Sequence, residues 1–127
     1  MIKLSLPLPP SVNQTNRAAV NRKSGTVYKP GQRLKDEFIE WTRLAAIAAG
    51  VYHIGLTGRL ALTIRWYGSK LDIDNGVKTL ADSLALAIGF NDAQIKQMHL
   101  YHEDDADRPH CEIELAELGY EEANPWQ

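Results

Sequence analysis

Residues 59–67 read R-L-A-L-T-I-R-W-Y, and residues 70–78 read K-L-D-I-D-N-G-V-K. In the first stretch Leu60, Leu62, Ile64 and Trp66 alternate with Ala61, Thr63, Arg65 and Tyr67. A period of two predicts a strand with one buried face. The second stretch is where that strand gives way to a helix. Asp74 or Asn75 is a natural N-cap, Val77, Leu80, Ala81, Leu84 and Ile88 share one side, and Gly89 stops the run. A strong strand followed directly by an amphipathic helix sets the class as mixed α and β.

The rest of the chain extends this pattern. Ile2, Leu4 and Leu6 alternate with Lys3 and Ser5, and Pro7, Pro9 and Pro10 end that strand. A polar segment from Ser11 to Gln32 reads as a long basic loop, a length that is often functional or mobile. Leu34, Phe38, Trp41, Ala45 and Ala48 recur at helical spacing up to Gly50. A loop, Phe90 to Ala93, leads to a strand over Lys96 to Glu103. A polar turn, Asp104 to His110, then leads to a last strand, Cys111 to Leu118, with Cys111, Ile113 and Leu115 facing inward. The order is β-α-β-α-β-β. Two helical crossovers allow parallel pairs, and a closing hairpin adds an antiparallel one. The expected fold is α+β, a mixed β-sheet packed with two main helices. Residues 119–127 form a peripheral tail that Trp126 could anchor.

With 127 residues, the chain is expected to be a single domain. Apolar residues are 44% and charged residues 24%, a globular composition that excludes disorder. One cysteine, Cys111, excludes a disulfide scaffold and a cysteine-based zinc site. The longest apolar stretch, Leu44 to Val51, is too short to cross a bilayer, and the N-terminus lacks a signal-type apolar region. A cytoplasmic protein is expected. Charge is unevenly spread. Residues 1–35 carry Lys3, Arg17, Arg22, Lys23, Lys29, Arg33 and Lys35 and no acid, whereas residues 103–127 carry nine acids and Arg108. This suggests a basic surface for a polyanion, or merely a basic polar loop.

In an extended stretch Asp72 and Asp74 point the same way. At about 4 Å their repulsion is roughly 4 kcal/mol at an effective dielectric of about 20. Either one takes up a proton, or a cation sits between them, and hard oxygen donors favour Mg²⁺ or Mn²⁺. The plainer alternative makes Asp74 a helix cap, Asp72 a solvated loop residue, and Lys78–Asp82 an exposed i,i+4 pair. An EF-hand loop fails, because Gly76, Val77 and Ser83 stand where an acid or amide, glycine and glutamate are required. Asp92, after the same helix, joins the pair only if the chain folds back to the helix's N-terminal end. His53, His99, His102 and His110 lack metal-ligand spacing, and no phosphate-binding glycine loop or nucleophile elbow is present.

Four ordered motifs carry a resemblance. They are L-P-x-P-P-S-x-N at Leu6 to Asn13, D-x-D-N-x-x-K at Asp72, Asp74, Asn75 and Lys78, D-x-L at Asp82 and Leu84, and a D-D-x-Q-[IV]-like element at Asn91 to Ile95. Over roughly Leu4 to Leu118 the chain resembles the RusA family of Holliday junction resolvases, small nucleases often carried by phages and prophages. The resemblance implies a metal-binding site of Asp72, Asp74 and Asp92, catalytic assistance by Lys78, and a homodimer that acts on four-way DNA junctions. It also implies Mg²⁺, with Mn²⁺ as a substitute, and no small-molecule cofactor. Asn13, Arg17, Arg22, Lys23, Lys29, Arg33 and Lys70 are then the expected DNA contacts. Asn91 departs from the family's paired aspartates, with Asp92 matching the second of them. Two other functions compete: a non-catalytic branched-DNA-binding module of the same fold, and a dimeric interaction protein whose acidic C-terminal region binds a basic partner. The exposed hydrophobes near Trp66 and Tyr67 are candidate dimer contacts.

Overall fold

A computed structural model of the chain describes residues 1–10, 19–20, 27–28, 30–68, 74–103 and 108–119, with backbone alone for 19, 20, 27, 28, 30, 74 and 75. Strand β1 (Ile2–Leu6) is followed by two short strands, β2 (Ala19–Val20) and β3 (Val27–Tyr28), which pair antiparallel. Then come helix α1 (Pro30–Ala48), strand β4 (Arg59–Tyr67), helix α2 (Asp74–Leu84), and strands β5 (Ile95–Glu103) and β6 (His110–Leu118). A wide π-turn over Ala85–Gly89 continues α2, and a 3-10 turn over Asp92–Gln94 precedes β5.

The main sheet has the order β1-β6-β4-β5. Strand β4 pairs antiparallel with β6 on one side and parallel with β5 on the other. The expected closing hairpin is therefore absent: β5 and β6 flank β4 and are not neighbours. The side chains explain the choice. Cys111, Ile113 and Leu115 of β6 are fully buried, a pattern suited to a position between β1 and β4. Strand β5, with Lys96, Gln97, His99 and His102, is mostly exposed and takes the edge. A parallel β4-α2-β5 unit also needs its helix as the crossover, whereas β6 can enter antiparallel without one. Strands β1 and β4 run in the same direction but are separated by β6, so the sheet has one parallel pair rather than two.

Both helices contribute to one core. Leu60, Leu62, Ile64 and Trp66 of β4 are buried in register with Leu115, Ile113 and Cys111 of β6 and with Leu4 and Leu6 of β1. From α2 and its π-turn come Leu80, Ala81, Leu84 and Ile88, the face that the periodicity predicts, with Val77 half-buried at its edge. Burying a residue such as Leu62 contributes roughly 1.5–3 kcal/mol. Trp66 is only 3% exposed and belongs to the core. Cys111 is buried as expected. Its thiol is pushed up to about 12 by burial, and its Sγ lies 3.5 Å from the carbonyl of Pro7.

The first helix departs from expectation in start and in face. It begins at Pro30, a residue suited to a first helical turn, so the segment from Ser11 to Gln32 is not wholly irregular. Its buried stripe is Phe38, Thr42 and Ala46, with Ala45 beside it, because α1 lies against β1 and α2 along that line. Leu34 and Trp41 stay 42% and 58% exposed, and Ala48 is exposed too. Thr42 enters the core because its hydroxyl donates to the carbonyl of Phe38 at 2.9 Å; Ser83 does the same with Thr79 at 2.7 Å. Gly50, at φ +73°, ends the helical segment where a left-handed residue is required.

The start of α2 is held by a close approach. A Cβ on Gly76 would lie 2.8 Å from Pro9 Cγ and 3.0 Å from Trp66 Cζ2. Alanine is the better helix former by up to about 1 kcal/mol. Overpacking against a proline ring and an indole costs about 1–3 kcal/mol. Gly76→Ala is therefore expected to lower stability, by about 1 kcal/mol or more, with Tm falling by several degrees in a thermal melt. A rise in Tm would show that the contact relaxes freely. Native Cys111 is expected to resist a thiol reagent at pH 8, reacting only as the chain unfolds, which a comparison of labelling with and without denaturant measures.

Candidate active site

The described carboxylates and lysines of interest sit on the β4-α2-β5 unit. Asp74 is the first residue of α2. Lys78 lies one turn on, and its Nζ is 3.3 Å from Asp82 Oδ2, the expected i,i+4 pair. Both side chains are well exposed, so the pair is worth a few tenths of a kcal/mol. Such a weak bond is readily exchanged for a stronger anion. Asp92 opens the 3-10 turn that leads into β5 and is exposed. Asp72 and Lys70 lie outside the described residues, as do Asn13, Arg17, Arg22, Lys23 and Lys29. Arg33 is on the first turns of α1, where its Nε donates to Glu37 at 2.9 Å.

A groove of about 520 Å³ runs between α2 and β5. Val77, Lys78, Ala81 and Asp82 line it from the helix, and Asp92, Ile95, Lys96 and Leu100 from the strand side. Two lysines and two aspartates thus share an apolar-floored trough. Lys96 owes its place to a bulge. Leu60 pairs with Ile95 but the next residue, Ala61, pairs with Gln97, so Lys96 is the extra residue. The bulge puts Ile95, Met98 and Leu100 on the same face despite the three-residue step. His99 and His102 consequently lie on opposite faces, as their spacing predicts.

The turn bearing Asp92 is clasped at several points. Asn91 Oδ1 accepts from the Ala93 amide at 2.9 Å, and Gln94 Oε1 accepts from the Asn91 amide at 2.8 Å, a capping box. Gln94 Nε2 also donates to the carbonyls of Leu56 at 3.1 Å and Gly58 at 2.9 Å. These bonds tie the turn to the loop before β4. Asn91, the residue that departs from the family pattern, is thus a cap, a role that aspartate fills equally well. Neither the Gln94 clasp nor the Lys96 bulge is visible in hydrophobic periodicity. The Gln94 signal was present only as a letter in a motif.

The sequence-based grouping of Asp72, Asp74 and Asp92 meets a geometric limit. Asp74 starts α2, and Asp92 follows the far end of the same helix. Sixteen residues of helix and π-turn separate the two ends by about 22 Å. The chain does not fold back to the N-terminal end of α2: Ile95 is already paired with Leu60 at the start of β4. As donors the carboxylates suit a hard divalent ion. Asp74 and Asp92 stand at opposite ends of α2, Asp72 lies outside the described residues, and no group of three or more ligating side chains occurs among the described residues.

A one-sided mixed sheet that presents carboxylates and lysines at the ends of a β-α-β unit, with a basic N-terminal segment, is an architecture suited to phosphodiester chemistry. The family model of endodeoxyribonuclease RusA matches residues 7–116, most of the chain, and the chain belongs to this family of nucleases, whose activity is Holliday junction resolution. No curated protein matches the chain. No helix among the described residues is long and apolar enough to cross a membrane.

Removing the clasp should loosen the Asp92 turn. Gln94→Ala leaves two carbonyls and one amide without that partner, largely open to water, and is expected to cost about 0.5–1.5 kcal/mol in denaturant unfolding. Asn91→Asp keeps the cap and is expected to change stability by less than about 0.5 kcal/mol. Equal stability of both variants would show that the capping box holds nothing in place.

Proposed function

We propose that the protein is a Mg²⁺-dependent, structure-selective endodeoxyribonuclease that resolves four-way DNA junctions by paired symmetric nicks, acting as a homodimer in recombination and repair. The family match over residues 7–116 carries this reading. Asp72, Asp74 and Asp92 are its acidic residues, and their oxygen chemistry is what favours a divalent ion over a zinc-type site. Lys78 is the catalytic cation. It stands in the groove that also holds Asp92, and its bond to exposed Asp82 is weak enough to be replaced by a phosphate. There it offsets the negative charge that grows as the phosphodiester is attacked.

DNA is held by Asn13, Arg17, Arg22, Lys23, Lys29, Arg33 and Lys70. Cations in this number grip phosphates without reading sequence, so affinity falls steeply with salt. Two like-polarity cuts need two identical sites, which a twofold dimer supplies. Nothing at Asn91 favours a non-catalytic module, because its side chain is spent on the cap and Asp92 remains. Glu112 and Glu114 are ladder residues of β6, and Glu112 accepts from Tyr67 Oη at 3.3 Å.

The test is a labelled synthetic four-way junction beside a linear duplex, with Mg²⁺, Mn²⁺ or EDTA. Paired symmetric nicks in the junction alone, lost in EDTA, are expected. Asp72→Asn and Asp92→Asn are expected to abolish cutting and to leave junction binding intact or tighter, since a carboxylate that repels phosphate is gone. A junction that is shifted but uncut under every metal condition would overturn the nuclease reading.

A further inference from the structure

The main sheet has two edge strands, β1 and β5, and each carries an exposed lysine. Lys3 lies in the middle of β1, in register with Glu114 of β6, and lines a hollow with Glu112 and Glu114. Carboxylates of the neighbouring strand flank it, and its charge guards the edge against pairing with another chain. Lys96 on β5 is placed differently. It is the residue left over where Leu60 pairs with Ile95 and Ala61 with Gln97, so no residue of β4 stands opposite it. A bulge re-aims a side chain that alternation would otherwise direct. Here it brings Lys96 into the groove between α2 and β5, on a floor that includes Val77, Ala81 and Leu100.

What Lys96 lacks is a counter-charge. Arg33, Arg43, Arg65 and Lys78 each lie 2.8 to 3.9 Å from a carboxylate oxygen. Lys96 has no such ion pair among the described residues. The two carboxylates of its groove are placed elsewhere: Asp82 is bonded to Lys78, and Asp92 opens the 3-10 turn. A cleft with apolar walls focuses the field of a charge on its rim and draws in an ion of opposite sign. Lys78 lies one turn into α2, and Lys96 follows Asp92 by four residues at the helix's other end. About 16 Å of helical rise separates Lys78 from Gly89. DNA carries one phosphate per about 3.4 Å of each strand, so a strand along this groove offers each lysine a phosphate of its own.

We infer that Lys96 is a further DNA contact of this protein, its ammonium holding a phosphate that flanks the scissile one. The inference rests on the junction-nuclease reading and deepens it: Lys78 acts on the attacked phosphate, and Lys96 fixes the strand beside it. A lysine is a point charge and reads no base, so the contact adds affinity on any sequence. It is made equally before and during the chemical step. Its loss therefore falls on KM and on salt dependence rather than on kcat.

The experiment uses the full chain with Lys96→Ala, Lys96→Arg and, as a control that removes the same charge from the opposite edge, Lys3→Ala. Binding to a labelled four-way junction is followed by fluorescence anisotropy in EDTA, over about 50 to 200 mM salt. Lys96→Ala is expected to weaken binding about three- to tenfold at the lowest salt, and to lower the slope of log Kd against log salt by about 1 for each Lys96 bound. Lys96→Arg restores both, and Lys3→Ala changes neither. With Mg²⁺ present, Lys96→Ala is expected to raise KM by a similar factor, with kcat within about twofold of wild type. An unchanged salt slope in Lys96→Ala overturns the contact. So does an equal loss in Lys3→Ala, which would make net charge the cause, and so does a fall in kcat with KM unchanged. Aggregation of Lys96→Ala in sedimentation, with wild-type affinity in its soluble fraction, would make Lys96 an edge guard like Lys3 and also overturns it. If the wild type binds the junction but cuts it with no metal, the nuclease reading fails, and the salt slopes still decide the phosphate contact.

Discussion

Two-sided pairing of β4 is the constraint on which the rest depends. Every second residue of this strand is buried, and both its edges are occupied, by β6 antiparallel and by β5 parallel. With β4 enclosed in this way, β1 takes the far edge of β6, and α1 and α2 share the single face that carries Leu60, Leu62, Ile64 and Trp66. The opposite face is polar. There Arg65 lies 4.6 Å from the Tyr101 ring centroid, and Tyr67 stacks on His110 with centroids 4.6 Å apart. A sheet covered on one face and wet on the other needs the strict alternation that β4 displays.

The same parallel pairing positions the chemistry. A β-α-β unit delivers its loops to opposite ends of the sheet, so Asp74 at the start of α2 and Asp92 after it are held apart by the length of the helix. Rigid attachments fix both ends: the Gly76–Trp66–Pro9 contact at one, and the Gln94 bonds to Leu56 and Gly58 at the other. A bulge at Lys96 re-phases β5 so that Ile95, Met98 and Leu100 all face the helix side, and it releases a cation from the ladder. Membership of the RusA endodeoxyribonuclease family gives this arrangement its chemical context.

Much of the fold was legible in the sequence where one physical signal dominated. The alternation in β4, the helical spacing of Leu80, Leu84 and Ile88, and the stops at Gly50 and Gly89 each follow from burial or backbone sterics within a few residues. Helix α1 does not declare its buried face, because it is apolar over more than one stripe. Leu34 and Trp41 fit the spacing as well as Phe38 and Ala45 do, and only packing against β1 and α2 selects Phe38, Thr42 and Ala46. The candidate site was legible as a set of residue types, Asp72, Asp74, Lys78 and Asp92, but not as an arrangement. Its structural supports, the Asn91 cap and the Gln94 clasp, act through backbone groups that carry no compositional mark.

The sequence by itself determined the class, the order of the main strands and helices without the short β2 and β3, the inward faces of β4 and β6, and the family. These follow from local periodicity and from motifs, each contained in a short window of chain. Only the tertiary structure decided that β6 enters between β1 and β4 and that Asp74 and Asp92 stand at opposite ends of α2. Both outcomes depend on strand partners distant in the chain. Pairing energy is shared by two backbones, so neither strand's own residues specify its neighbour; that choice is made by the burial of all four strands together.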